Sequence, residues 1–281
     1  MGRFSIGLDL GSQQAALAVY DHSRQCAVPL EIDGDKTMPS CIALEPTGGG
    51  ETVVGKRAEH RSAKKCEGVL CAYRQMIYGT CDDWDVHQRM CNERWHFNVA
   101  AGDEAGRGPG EANFVLKGGS KVHVSVLIGK VVEVVCVALL DARKAGGVLV
   151  NENGDDVEYV NFSISVPECF TEDQRLLVAD AAQKVIQDYL GALPMVVVNE
   201  TLAVAMQFCV TPPFRPRKFM CLDLGSSKCT ASLFELKQVS VDLFSLQEVT
   251  SRTDVFVGAS EIEYRMMLWC EKRKPFAESM L

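Results

Sequence analysis

One tetrapeptide occurs at both ends of this 281-residue chain, as Asp9-Leu10-Gly11-Ser12 and as Asp223-Leu224-Gly225-Ser226. A carboxylate at a strand end, followed by a glycine that lets the backbone approach closely, sets amide donors beside an acidic group. Amide donors suit phosphate, and a carboxylate suits hydrated magnesium. Two such turns facing each other across a cleft can grip a nucleotide's phosphate tail, with Asp9 and Asp223 holding the metal mainly through water. Glu200, at the end of an apolar run, adds a third carboxylate able to order that water or an attacking one. Taken alone, each turn also reads as a hairpin whose aspartate satisfies local N–H groups.

Two rival chemistries fail on spacing. Gly50-Glu51-Thr52-Val53-Val54-Gly55-Lys56-Arg57 nearly spells a phosphate-binding Walker loop, but Arg57 stands where a hydroxyl must reach magnesium, and Thr52 to Val54 reads as a strand inside the loop. Cys66, Cys71, Cys81, His87, Cys91 and His96 form a loose cluster without a Cys-x-x-Cys knuckle, so the ligand pairs that preorganise a zinc tetrahedron are missing.

The elements that must position the acidic turns are legible around them. Each tetrapeptide lies between apolar, β-rich runs, Phe4 to Leu8 and Ala15 to Tyr20 for the first, Phe219 to Leu222 and Cys229 to Leu236 for the second. Both predict strand, tight turn, strand, and the matched flanks imply a duplicated unit and two lobes. Between them, extended segments and helices alternate as in an α/β protein. Val160 to Val166 alternates like a strand. Thr171-Glu172-Asp173-Gln174 is a capping box opening a helix to Leu190, closed by Gly191. Met195 to Val198 is a buried strand ending at Asn199-Glu200, with a helix from about Thr201 to Phe208. Three prolines in Thr211 to Arg217 rule out regular structure there, so this segment is the expected connection between lobes. Ala101 to Ser120 reads as a loop or ragged hairpin, and Thr47 to Glu51 as a turn.

Composition narrows the class of protein. Net charge is −8 and 47% of positions are hydrophobic, an ordinary globular balance. With no run of five basic residues, this acidic chain is not expected to bind nucleic acid or an anionic membrane. Val131 to Leu140 is far shorter than the roughly 20 residues a bilayer span needs, and is expected to be a buried helix or strand. Asp9 interrupts the apolar centre a signal peptide would need, and Ile6 stands where myristoylation requires Ser or Thr. The 12 cysteines are scattered and read as reduced thiols of a cytoplasmic protein.

In order along the chain, these residues resemble the nucleotide-binding domain of the heat-shock seventy-kilodalton chaperones, within the actin and sugar-kinase superfamily. Ile6 to Ser12 resembles the first phosphate motif, and Lys36-Thr37-Met38-Pro39-Ser40 an Arg-Thr-Thr-Pro-Ser segment. Ser165-Val166-Pro167 with Phe170 and Gln174-Arg175 is similar to Val-Pro-x-x-Phe and Gln-Arg. Val198-Asn199-Glu200 resembles the connecting strand, Asp223-Leu224-Gly225 the second phosphate motif, and Val257-Gly258 with Tyr264-Arg265-Met266 a Leu-Gly-Gly segment and its helix. The resemblance implies a duplicated, actin-like ATPase fold of ribonuclease H type. The first lobe, residues 1–212, would be complete, and the second, 213–281, truncated, with an exposed sheet edge and a small core.

The departures bear on activity. Ser12-Gln13 replace Thr-Thr, and Gly225-Ser226-Ser227-Lys228 replace Gly-Gly-Gly-Thr, so any left-handed geometry there would cost about 1 kcal/mol per residue. Lys228 is expected to supply compensating positive charge. Thr230 removes a carboxylate, and Arg74 stands for the catalytic lysine without positioning water or phosphate equally well. Thr201 replaces a proline, which is expected to loosen the helix start.

The resemblance therefore implies ATP or ADP and magnesium as ligands. Asp9, Arg74, Glu200 and Asp223 would be catalytic, and Asp9, Glu200 and Asp223 would serve the metal. Gly11, Ser12, Gln13, Gly225, Ser226, Ser227, Lys228 and Gly258 would bind the nucleotide, and Pro167 and Arg175 would couple it to a substrate domain. Slow or lost hydrolysis is expected of such an atypical chaperone, with co-chaperones or ribosome-associated partners, and unfolded polypeptide as client only where a substrate domain follows. Two other readings stay open: an interaction scaffold that binds no nucleotide, and a metabolite kinase of the same superfamily.

Overall fold

A computed structural model describes residues 2–44, 52–63, 68–71, 77, 98–100, 113–115, 121–146, 149, 157–210, 217–240, 244–255 and 257–272. The chain divides into two compact units, Met1–Glu200 and Thr201–Leu281.

The first unit begins with a hairpin, β1 (Gly2–Leu10) and β2 (Gln14–Asp21), followed by β3 (Cys26–Leu30) and β4 (Thr37–Pro39). Strict alternation forms β1: Phe4, Ile6, Leu8 and Leu10 are at most 2% exposed, while Arg3 and Asp9 face out. β5 (Cys41–Ala43), β6 (Val53–Val54), α1 (Lys56–Ala63) and β7 (Val69–Cys71) follow, the three strands forming their own small sheet. A second small sheet joins β8 (Asn98–Ala100), β9 (Asn113–Val115) and β10 (Lys121–His123). The β9 strand, antiparallel to both neighbours, lies within the stretch expected to be a loop or ragged hairpin, and the rest of Ala101 to Ser120, like Thr47 to Glu51, lies outside the described residues.

The expected buried segment is part of α2 (Val124–Lys144), whose Leu127, Ile128, Val131, Val132, Val135, Cys136 and Leu139 follow helical spacing and are fully buried. No described helix is long and apolar enough to cross a membrane. β11 (Val157–Val166), α3 (Glu172–Leu190) and β12 (Met195–Asn199) complete a βαβ unit. Both halves of the capping box at Thr171 and Gln174 are made, and Gly191 ends α3 with φ 85°. Gly129 of α2 faces Val185 and the Ala181 carbonyl of α3, where a Cβ would make ordinary contact at 3.6 and 3.7 Å. The main sheet runs β12-β11-β1-β2-β3, with β4 also on β2. β1 pairs parallel with β11 and antiparallel with β2, so the first acidic turn stands at the end of a central strand.

α4 (Glu200–Val210) leads into the second unit. There β13 (Lys218–Leu224), β14 (Cys229–Gln238) and β15 (Phe244–Asp254) form an antiparallel meander, followed by α5 (Ala259–Lys272). β14 alternates cleanly, placing Thr230, Ser232, Phe234 and Leu236 inside. β13 is an edge strand in this sheet, and its Met220, Leu222 and Leu224 are more than half exposed. The proline-rich connection, 211–216, lies outside the described residues.

The expectation of reduced thiols is corrected at one pair: Cys41 and Cys71 are joined by a disulfide. Antiparallel pairing of β5 with β7 sets them directly opposite, with Cα atoms 4.2 Å apart, a proximity that their separation of 30 residues conceals.

Candidate functional site

In the first unit the acidic turn joins β1 to β2. Asp9 is exposed, and its Oδ1 accepts a hydrogen bond from Ser165 Oγ at 2.8 Å. Ser165 sits opposite Asp9 in the parallel β1–β11 register, so the pairing of two strands far apart in sequence fixes the carboxylate's orientation. A Cβ on Gly11 would collide with the Gln14 carbonyl, which explains why the tight turn carries glycine. Ser40 ties the turn down, its Oγ donating to Gly11 O and its N–H to Gln13 O, both at 2.7 Å. These bonds engage two carbonyl oxygens whose partial negative charge would otherwise oppose an anion. Ser12 is buried and Gln13 exposed.

At the same C-terminal edge of the parallel strands, two strands over from β1, Glu200 begins α4 directly after β12. Arg175 of α3 is fastened beside it. Its Nη2 donates to Asn199 Oδ1 at 2.6 Å and to Pro167 O at 3.4 Å, and its Nε donates to Phe170 O at 3.2 Å. Pro167 is buried. Both residues proposed for coupling are therefore held in one clasp with the residue preceding Glu200. Gln174 also reaches from α3, donating to the Ile77 carbonyl. Arg74 lies outside the described residues.

The second acidic turn, in the other unit, joins β13 to β14 and is tied down differently. Gly225 O accepts from Ala259 N at 3.0 Å and Ser226 O from Ser260 N at 2.9 Å, while Gly225 N donates to Lys228 O at 2.9 Å. Ser226 and Ser260 also pair through their hydroxyls at 2.7 Å. Glu261 N and Ile262 N both reach the Gly258 carbonyl, so protein acceptors take up the first N–H groups of α5. A Cβ on Gly258 would meet the Ser226 carbonyl carbon at 2.7 Å and Lys228 N at 2.8 Å, so Gly258 lets α5 seat against the turn. A Cβ on Gly225 would meet only Lys228 O, at 3.5 Å.

Two sequence expectations are corrected here. Among the described residues the non-glycine residues at positive φ are Gln25 and Asp33, so Ser12, Gln13, Ser226 and Ser227 carry no left-handed strain. Nor is the start of α4 loosened at Thr201. Its Oγ1 pairs with Ser232 Oγ at 2.8 Å, and both residues are fully buried.

Lys228 is 1% exposed, so its charge does not face solvent. Its Nζ donates to Asp223 Oδ2 at 2.8 Å and to Thr230 Oγ1 at 3.1 Å. Thr230 Oγ1 lies 3.0 Å from Thr253 Oγ1. The magnesium implied by the resemblance does not fit this turn as built, because a buried ammonium already occupies the carboxylate that would receive it. Within neither unit do three His, Cys, Asp or Glu side chains among the described residues gather around a metal position. Cys71 of the loose cysteine cluster is in the disulfide, and the cluster's other members lie outside the described residues. The near-Walker lysine, Lys56, is ion-paired with Asp35 at the start of α1.

Ser165, Thr253, Ser260 and Asn199 are the polar partners that sequence reading did not assign. Ser165 and Thr253 follow from strand register, which a single sequence does not expose. Asn199 stood next to a chosen residue.

Comparison with known proteins shows what the chain is similar to. A sequence model described as "Hsp70 protein" matches residues 5–270. The chain is 22% identical over 268 residues to the chaperone protein DnaK of Stenotrophomonas maltophilia, a match covering 95% of this chain and 37% of that relative. The chain thus spans little more than a third of that relative's length.

Proposed function

The chain belongs to the Hsp70 protein family, and on that premise we propose that its two acidic turns receive the phosphates of ATP or ADP, in an atypical member whose hydrolysis is weak or lost. The observation that carries this reading is the common build of the turns. In each, aspartate is the next-to-last residue of a strand, leucine and then glycine follow, and another segment engages the turn's carbonyl oxygens, Ser40 in one unit and the start of α5 in the other. In this proposal Gly11, Ser12 and Gln13 form one phosphate turn, and Gly225, Ser226, Ser227 and Lys228 form the other, seated on Gly258. The assignment of residues 1–212 and 213–281 to a complete and a partial actin-like lobe belongs to the same proposal.

Asp9, oriented by Ser165, and Glu200, next to the Arg175 clasp, supply the acidic groups around the reacting phosphoryl. No step is routed through magnesium, given the state of Asp223. Arg74 stands for the family's lysine. Losing one preorganised charged contact to a transferring phosphoryl group costs about 3 to 4 kcal/mol, two to three decades in rate. Pro167 and Arg175 couple this end of the sheet to a substrate domain where one follows. Co-chaperones or ribosome-associated proteins are the proposed partners, and the cytoplasm the proposed compartment.

Calorimetric titration of the full chain with ATP tests the reading. The expected result is saturable binding that Asp9→Asn weakens, with single-turnover phosphate release too slow to measure easily and faster in Arg74→Lys. A folded chain that takes up no ATP overturns it in favour of the scaffold reading. One observation favours that second reading: a lysine is buried on an acidic group that the phosphate site would otherwise use. Transfer of phosphate from ATP to a sugar or acetate would instead revive a metabolite kinase.

A further inference from the structure

We infer that Lys228 takes the place of a divalent cation at the second acidic turn, so that this turn works without magnesium. For its ligand the inference rests on the nucleotide reading above; for the metal it stands on geometry alone. The cross-strand register places Asp223 opposite Thr230, and Thr230 opposite Thr253. Lys228, in the turn between the first two, folds back over this row. Its ammonium meets Asp223 Oδ2 at 2.8 Å and Thr230 Oγ1 at 3.1 Å, and Thr230 passes the chain on to Thr253.

The burial is unequal, Lys228 at 1% and Asp223 at 31% side-chain exposure. An ammonium so deeply buried is tolerated only when paired and hydrogen-bonded, and Asp223 is the carboxylate that pairs it here. A divalent cation arriving at the exposed side of Asp223 would meet a fixed positive charge within a few ångströms and a carboxylate already neutralised. Thr230 offers no carboxylate in compensation. The same pair spares an incoming phosphate the repulsion of a bare Asp223, which is the part a metal would otherwise play. Lys228 thus acts through Asp223 and not by touching phosphate.

Manganese binding to the full chain without nucleotide, followed by electron paramagnetic resonance, tests the metal claim. Wild type and Asp223→Asn are expected to bind manganese identically. Lys228→Met, which keeps the apolar stem and removes the charge, is expected to gain a site that Lys228→Met with Asp223→Asn loses. A wild-type manganese site abolished by Asp223→Asn overturns the inference, as does a folded Lys228→Met chain with no added site. The wild-type comparison needs no lysine variant and, with Asp223→Asn shown to be folded by circular dichroism, decides the matter even if the lysine variant fails to fold.

A second titration separates this inference from the reading beneath it. ATP affinity of the wild type is expected to change less than about twofold when magnesium is replaced by EDTA, whereas Lys228→Met becomes magnesium-dependent by about tenfold. A strict magnesium requirement in the wild type overturns the inference and leaves nucleotide binding intact. Absence of ATP binding in both buffers overturns the nucleotide reading, and the manganese comparison still decides the role of Lys228.

Discussion

Arg175 donates to Asn199 across the gap between α3 and the end of β12, at 2.6 Å, while the same guanidinium holds the carbonyls of Pro167 and Phe170. Three acceptors from two chain segments converge on one planar donor set, and Asn199 immediately precedes Glu200. Taken from sequence alone, Arg175 could equally be a solvated helix residue; the structure makes it a clasp. Arg175→Ala is expected to lower unfolding stability by about 1–3 kcal/mol, because several hydrogen bonds to a charged donor are lost together. Arg175→Lys recovers only part of this, since an ammonium cannot reproduce the fork. Urea denaturation of the three proteins checks the order; equal stability of all three would place no energy in the clasp.

Three glycines of the acidic turns are expected to respond differently to alanine. At Gly11 the added methyl meets the Gln14 carbonyl, and at Gly258 it meets backbone of Ser226 and Lys228, atoms that cannot move without opening the turn. At Gly225 the nearest atom is at ordinary contact distance, 3.5 Å. Gly11→Ala and Gly258→Ala should each cost about 2–4 kcal/mol, the range of overpacking against rigid backbone, and Gly225→Ala less than about 1 kcal/mol. Thermal melts of the single variants give the ranking. A Gly225→Ala as damaging as Gly258→Ala would contradict the turn geometry.

What could be read directly from the chain was whatever repeats or caps locally. The two Asp-Leu-Gly-Ser turns, the capping box at Thr171 and Gln174, and the strands leading to Pro167 and Asn199 all announce themselves within a few residues. The partners were hidden because they depend on register. Ser165 finds Asp9 through a parallel pairing spanning 156 residues, and Thr253 reaches Thr230 only once β14 and β15 align. Lys228 was legible as a charge near phosphate but not as a buried one, because its direction is set by the Asp223–Thr230 row beneath it. The disulfide was invisible for the same reason: the pairing of β5 with β7 brings its cysteines together.

Burial pushes the Cys136 thiol up to about 12, with the nearby Glu133 carboxylate adding to the shift. The folded thiol therefore keeps its proton where an unfolded one, at its ordinary 9.0, has released it. The resulting stabilisation is fully present below pH 9 and is lost as pH rises from 9 toward 12, at up to about 1.4 kcal/mol per pH unit. Cys136→Ala should show a shallower loss of stability over that window. At neutral pH, iodoacetamide should modify peptides carrying the exposed Cys26, Cys169 and Cys270 and spare that of Cys136. Rapid labelling of Cys136 in the native chain would contradict its burial.

The Cys41–Cys71 bond closes a loop of 30 residues in sequence separation, so its removal should cost about 2–4 kcal/mol through freedom regained by the unfolded chain. Peptide mapping without reductant should recover the two cysteines as one linked pair, and Cys41→Ser with Cys71→Ser should melt lower. A linked pair in protein taken directly from its native source would count against a strongly reducing compartment; fully alkylated cysteines there would restore the expectation of free thiols.

Thr201 and Ser232 provide the last test, of whether the start of α4 is held by a hydroxyl pair where the family resemblance has a proline. Their oxygens are 2.8 Å apart and both residues are 0% exposed, so removing one hydroxyl leaves the other with a lost partner inside the protein. Thr201→Val or Ser232→Ala alone should cost about 1–3 kcal/mol, through loss of the buried hydroxyl pair. The double variant loses the same pair only once and should be less destabilised than the sum of the singles by about 1 kcal/mol or more, a coupling that chemical denaturation can resolve. Simple additivity would mean that the two hydroxyls do not interact. Thr201→Pro is informative for a different reason, since proline is well suited to the first turn of a helix but carries no hydroxyl. If the hydroxyl pair is what anchors this helix start, the proline variant should be no more stable than Thr201→Val, despite restoring the residue that the resemblance expects.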